Sequence, residues 1–225
     1  MSDLIQDTTI YIGDFTIHEP VTVLTDFIIT GLCLYFYLQL NQLSGKDVSA
    51  KNWKYFYGFM SISSFLGGCS HAFFAVHEGL GYKTFWLGMQ VLNVFSIYYM
   101  QQGVLYSVLK NSLNKRYWSI SYTIQCILAS IAVFIFQSFI VIIINTAIGL
   151  IPIMIFHFLA AKQNKNNLWI AYGIVVLFAT ALVNAVKLTI HPYFNHLDLA
   201  HVLIMVNISL MFIGVKRNTI ALQSA

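Results

Sequence analysis

The sequence predicts an all-α, polytopic membrane protein of seven transmembrane helices, with its N-terminus outside and its C-terminus in the cytosol. Three observations predict it. The 225 residues are 58% hydrophobic and only 9% charged, with a mean hydropathy of +0.73, whereas soluble domains carry about 25% charged residues. The apolar residues gather in stretches of about 20, the length that crosses a bilayer as helix. The cations fall almost wholly on one side of the resulting spans.

Taken in order, the apolar stretches place helices at roughly 19–40, 53–76, 83–109, 117–137, 138–161, 168–190 and 196–215. Residues 117–161 are too long for one span, and the break is placed near Gln137 and Ser138. Asn41 to Asn52 reads as a polar connector, and His191 to Asn195 as a tight turn in which Pro192 opposes further helix. The domains are then an external acidic tail over 1–18, a membrane domain over 19–217 and a cytosolic tail over 218–225. The tail carries Asp3, Asp7 and Asp14 in place of the basic, apolar start of a secretory signal, so no cleaved leader is expected.

With this division Lys46, Lys51, Lys54, Lys110, Lys115, Arg116, Lys162, Lys165, Lys216 and Arg217 share one side, against Lys83 and Lys187 on the other. Cytoplasmic flanks are the basic ones, which fixes the orientation. The net charge of +4 then suits anionic lipid and calls for no nucleic-acid partner. A multi-pass integral membrane protein is expected, in the plasma membrane or, in a bacterium, the inner membrane. Cys33, Cys69 and Cys126 lie in apolar stretches without metal-site spacing and read as packed thiols. No internal repeat and no matching pair of broken helices points to a transporter.

Ionisable side chains inside membrane helices cost about 3 kcal/mol each on insertion scales, so each is a functional candidate. Here they share a depth. Asp26 lies seven residues after Glu19, about 10 Å from the outer end of the first helix. His71 is about 8 Å from the outer end of the second, and Asp198 and His201 lie within about 8 Å of the outer end of the seventh. His18, His77 and His191 read as loop or interface residues, and His157 as a packed one.

An imidazole in an apolar helix must find a partner, which singles out His71 and His201. Asp198 precedes His201 by three residues on a shared helix side, while His196, five before it, joins only through a distorted first turn. Imidazoles with a carboxylate suit zinc, which takes nitrogen and oxygen ligands in a tetrahedron and can keep one position for water. The candidate metal ligands are therefore His71, His201, Asp198 and His196. Asp26 is the candidate acid or base. Glu19 could hold a second cation such as calcium or orient a ligand, or could simply favour a helix N-terminus.

Three segments, EPVTVLTD at Glu19 to Asp26, GGCSHAFF around His71 and FNHLDLAH up to His201, together resemble the seven-helix membrane hydrolase superfamily of the alkaline ceramidases and the progestin and adiponectin receptors. Uncharacterised bacterial seven-helix proteins are similar in the same signatures. The resemblance spans the topology of nearly the whole chain but rests on few residues. It implies a zinc-dependent hydrolase of a lipid amide such as ceramide, with three histidine ligands, an aspartate and a serine four residues before the helix-two histidine. That serine's place is held by Gly67, with Ser70 and Ser64 the nearby hydroxyls; Ser70 is the candidate for its role. The family's helix-seven histidines are four apart, and His196 and His201 are five apart.

The function expected is therefore intramembrane, metal-dependent hydrolysis of a lipid amide or ester. Two alternatives use the same residues: a non-catalytic membrane receptor or ligand-binding protein on this scaffold, and a haem protein with His71 and His201 as axial ligands. Gln90, Asn93, Asn145, Asn184 and Lys187 could line a polar path or act as interhelical hydrogen-bond glue.

Overall fold

The structure is a computed structural model and describes residues 9–13, 15–45, 47–74, 79–109, 111–191 and 193–223. Among these are a β-hairpin, β1 (Thr9–Ile12) and β2 (Phe15–His18), then seven α-helices: α1 (Pro20–Leu43), α2 (Val48–Cys69), α3 (Leu80–Val108), α4 (Ser112–Phe136), α5 (Ile140–Ala160), α6 (Asn167–Ala185) and α7 (His196–Gln223). A π-helical turn, Ser70–Phe74, continues α2. Asp3, Asp7, Asp14, Lys46, His77, Lys110 and Pro192 lie outside the described residues.

Local chemistry fixes the helix ends. Pro20, whose ring presets φ, opens α1. The Asp47 side chain accepts from the Ser49 backbone N–H at 2.9 Å and caps α2, and Asn111 caps α4 through the N–H groups of Leu113 and Asn114. The break within the long apolar stretch falls at Gln137, which ends α4 in the left-handed conformation at φ 48°. Asn195 accepts from the N–H of Leu197 and Asp198 while Asp198 Oδ2 accepts from the Asn195 N–H at 2.8 Å, a reciprocal box that starts α7.

The elements differ from the hydropathy reading at several ends. Part of the acidic tail is a hairpin, pairing Thr9 with His18 and Ile12 with Phe15. Helix α2 starts five residues earlier than its apolar stretch, because Asp47 caps it there and Lys51 and Lys54 are carried on its first turns. Helix α6 stops at Ala185, and α7 runs through Lys216 and Arg217 to Gln223; backbone winding does not end where apolarity does.

Six helices close a ring by neighbour contacts in the order α1, α2, α3, α5, α6, α7 and back to α1, with α4 packed outside against α3 and α5. The ring's core is apolar. Phe36 of α1 stacks on Phe212 of α7 at 4.2 Å between ring centroids, and Tyr57 of α2 donates its hydroxyl to the Ile208 carbonyl at 3.0 Å. Helices α6 and α7 pack tightly at two glycines. A Cβ on Gly214 would stand 2.6 Å from Ile170 Cγ1, and one on Gly173 2.6 Å from Met211 Cγ. Small residues permit such contact where packing, rather than water exclusion, holds helices together.

The outside is apolar too. On α4, Ile124, Ile127, Leu128, Ile131 and Phe134 are each at least 50% exposed, a continuous patch that soluble monomers rarely carry. Among the described residues five helices, α1, α4, α5, α6 and α7, are long and apolar enough to cross a membrane, which suggests an integral membrane protein.

Candidate functional site

The start of α1, the end of α2 and the start of α7 meet at one end of the ring, and β2 packs on the π turn there. Glu19, Thr22, Thr25, Asp26, His71, Asp198 and His201 are brought together at this end.

Glu19 precedes Pro20 in a left-handed conformation, φ 45° and ψ 55°. That region costs a side-chain-bearing residue energy, and a following proline further favours extended backbone. The carboxylate so placed meets His71 Nδ1 at 2.5 Å. His71 itself sits in the π turn, a rare winding frequently found at functional sites. Two local irregularities thus hold one contact. The hydrogen bond from His71 holds the Glu19 carboxyl below its ordinary range, against the opposing effect of burial, so Glu19 is ionised and His71 donates. Nε2 of His71 remains as the nitrogen that can meet a ligand.

His201 is oriented similarly. Its Nδ1 lies 2.8 Å from Thr25 Oγ1. The Thr25 hydroxyl is also within 2.9 Å of the Thr22 carbonyl and 3.0 Å of the Val21 carbonyl. Carbonyls only accept, so the single hydroxyl proton goes to them and His201 Nδ1–H donates to Thr25. The neutral imidazole then carries its lone pair on Nε2, which stands 3.7 Å from Asp26 Oδ1. Asp26 is 6% exposed. A Cβ at Gly67 would lie 3.4 Å from Asp26 Oδ2, and one at Gly68 3.2 Å from Asp26 Cβ, so the two glycines admit the acid between α1 and α2.

Asp198 is engaged elsewhere. Its Oδ1 accepts from the Thr22 hydroxyl at 2.7 Å and its Oδ2 from the Asn195 N–H; it ties the start of α7 to α1. His196 is half-buried on the first turn of α7. Ser70 is 1% exposed, and among the described residues no hydrogen bond joins its hydroxyl to Asp26, His71 or His201. Thr22 and Thr25, which hydropathy and charge do not single out, are the two side chains that fix Asp198 and His201; their spacing of three, on the helix face carrying Asp26, was the available signal. Of the other histidines, His18 bonds Thr9 across the hairpin at 3.2 Å, His191 stacks on Tyr193, and His157 is buried against Asn167 at 3.0 Å.

Among the described residues no group of three His, Cys, Asp or Glu side chains already surrounds a point as a metal ion requires. Two donors do stand at a fitting separation. Ligands about 2.0–2.2 Å from a tetrahedral zinc lie about 3.4 Å apart, close to the 3.7 Å between His201 Nε2 and Asp26 Oδ1 and beyond hydrogen-bond reach.

One turn along α7 from His201, Ile204 lines a cavity of about 170 Å³ inside the ring, walled by α2, α3, α5, α6 and α7. Its wall is almost wholly apolar. The polar groups include Asn93 and Asn207, whose amide oxygens find no hydrogen-bond partner among the described residues. Asn145 instead bonds Gln125, which accepts from Gln101, as glue between α3, α4 and α5.

A family model described as a family of unknown function, DUF6962, matches residues 21–220. No curated protein and no solved structure matches the chain.

Proposed function

We propose, from the premise that the chain belongs to DUF6962, a family of unknown function, and from the imidazole–carboxylate site, that it is an intramembrane metal-dependent hydrolase of a lipid amide or ester. In this reading all seven helices span the bilayer, the basic end faces the cytosol, and the site lies near the outer face. The bias of cations to one end supports that orientation.

The observation that carries the proposal is the state of the two imidazoles. Each has Nδ1 engaged by an orienting partner, Glu19 for His71 and Thr25 for His201, which leaves Nε2 for a ligand. Metal-binding histidines have this arrangement, and their outer partners fix tautomer and ring plane. His71, His201 and Asp26 would hold the ion, with His196 the nearest further imidazole in sequence. Zinc bound there would supply a water of lowered pKa and polarise a carbonyl. The chain's own residues do the rest. Glu19 and Thr25 hold the rings, the Thr22–Asp198 bond fixes α7 against α1, and the apolar cavity beside Ile204 takes hydrocarbon and excludes water. The similarity to the alkaline ceramidase and adiponectin receptor superfamily supports a lipid as substrate.

One observation favours a second reading, a lipid-binding protein without turnover. Where the superfamily has its serine, Gly67 stands, and the space its side chain would need is bordered by Asp26 Oδ2 and, at 3.2 Å, the Met89 sulfur. Purified protein loaded with zinc and offered ceramide-like amides and acyl esters separates the two. Released fatty acid, lost in Asp26→Asn, supports the hydrolase; zinc and lipid bound without product supports the receptor.

A further inference from the structure

At the end of the bundle opposite Glu19 and His71, α3 and α4 form a second, open pocket of about 630 Å³, lined by Leu105, Tyr106, Lys115, Arg116, Ser119 and Ile120. Lys115 Nζ lies 5.7 Å from the centre of the Tyr106 ring. Behind the wall, the Ser119 hydroxyl donates to Gln102 Oε1 at 3.1 Å. Gln102 is 4% exposed and its Nε2 donors are buried with no partner among the described residues. Two cations therefore line one pocket, and a buried amide with an unpartnered donor lies one hydrogen bond behind its Ser119 wall.

Nothing anionic answers them. Among the described residues neither Lys115 nor Arg116 enters an ion pair. Of the eight acidic residues in the sequence, Asp47 alone falls at this end by chain order, and it caps α2. Lys115 and Arg116 also lie near the N-terminus of α4, where the helix dipole opposes positive charge. Among the described residues the chain supplies these two cations with no ion-pair partner, which leaves them open to an anionic ligand.

We propose that this pocket binds the phosphate of an anionic phospholipid in the leaflet at the basic end. Lys115 and Arg116 take the phosphate oxygens, and Leu105 and Ile120 meet the first methylenes of the acyl chains. Basic pockets between helices at this level are suited to lipid head groups. The inference rests on the seven-span orientation proposed above and is independent of the hydrolase reading.

The test measures binding of phosphatidylglycerol, phosphatidylcholine and inorganic phosphate to the full chain in detergent. Phosphatidylglycerol should bind in preference to phosphatidylcholine, and Lys115→Gln/Arg116→Gln should weaken it about thirtyfold, about fivefold per charge. Lys162→Gln/Lys165→Gln, with the same net charge, should leave affinity within about twofold of wild type. Equal weakening by both pairs, or no preference for the anionic lipid, would overturn the site. Inorganic phosphate binding as tightly as the lipid would overturn the lipid as its ligand. If the double variant does not fold, Arg116→Gln carries the same comparison at about fivefold.

Discussion

His71 Nδ1 donates to Glu19 Oε2 across 52 residues of sequence, and each partner sits where the backbone leaves its regular path. Glu19 occupies the left-handed region before a proline, and His71 a π turn. Both distortions cost energy that the packing of β2, α1 and α2 sustains, and strain of this kind gathers where a side chain must be held for a purpose.

Replacing Glu19 by Gln should destabilise the protein by about 1–3 kcal/mol, since a part-buried charged hydrogen bond is lost. The effect should depend on pH in metal-free protein. The folded pKa of Glu19 lies below its ordinary 4.5, so its contribution is complete above about that pH and is lost as pH falls through the lower folded value. Unfolding temperatures of wild type and Glu19→Gln should converge in acid; a constant gap would contradict the assignment.

Thr25→Val removes the acceptor for His201 Nδ1–H while keeping the side chain's shape. The part-buried His201 Nδ1–H left without an acceptor should lower stability by about 1–3 kcal/mol, and zinc affinity should fall about 10–100-fold, the usual cost of losing an outer partner. Thr25→Ser should restore it. A competitive chelator titration reads both.

Asp198 and Asp26 should separate cleanly. Asp198→Ala leaves the buried Thr22 hydroxyl without its acceptor and unties the α7 cap, costing about 1–3 kcal/mol of stability, yet zinc should remain. Asp26→Asn should lose zinc and keep the fold. Metal retained by the second variant and lost by the first would make Asp198 the ligand and Asp26 the structural acid.

The helix succession was legible because apolar runs of about 20 residues are a strong signal, and the break at Gln137 followed from length alone. That Asp26, His71, Asp198 and His201 would come to one end of the bundle followed from counting residues along helices of known rise. The hairpin was not legible, its four-residue strands being too short for a periodic signal. Nor was the π turn, which no residue type announces. Asp198 was legible in principle, since Asn195 and Asp198 are spaced as a capping box, but an acid beside histidines reads equally as a ligand. Thr22 and Thr25 stayed hidden because threonines in apolar helices commonly bond their own backbone, as Thr30 does.

At Gly214 an alanine would bring its Cβ to 2.6 Å from Ile170 Cγ1 and 3.1 Å from the Asn166 carbonyl. Backbone cannot yield there without parting α6 from α7, so Gly214→Ala should cost about 1–3 kcal/mol. Gly31, with open space around it, should accept alanine without loss, and paired thermal unfolding curves compare them.

The most direct measurement is the metal content of detergent-purified protein after zinc loading, by mass spectrometry, for wild type, His71→Ala and His201→Ala. About one zinc per chain, lost in both variants while their unfolding remains cooperative, is the predicted result. Wild-type protein that takes up no zinc, or either variant holding it as well as wild type, would contradict a shared metal site at these two imidazoles.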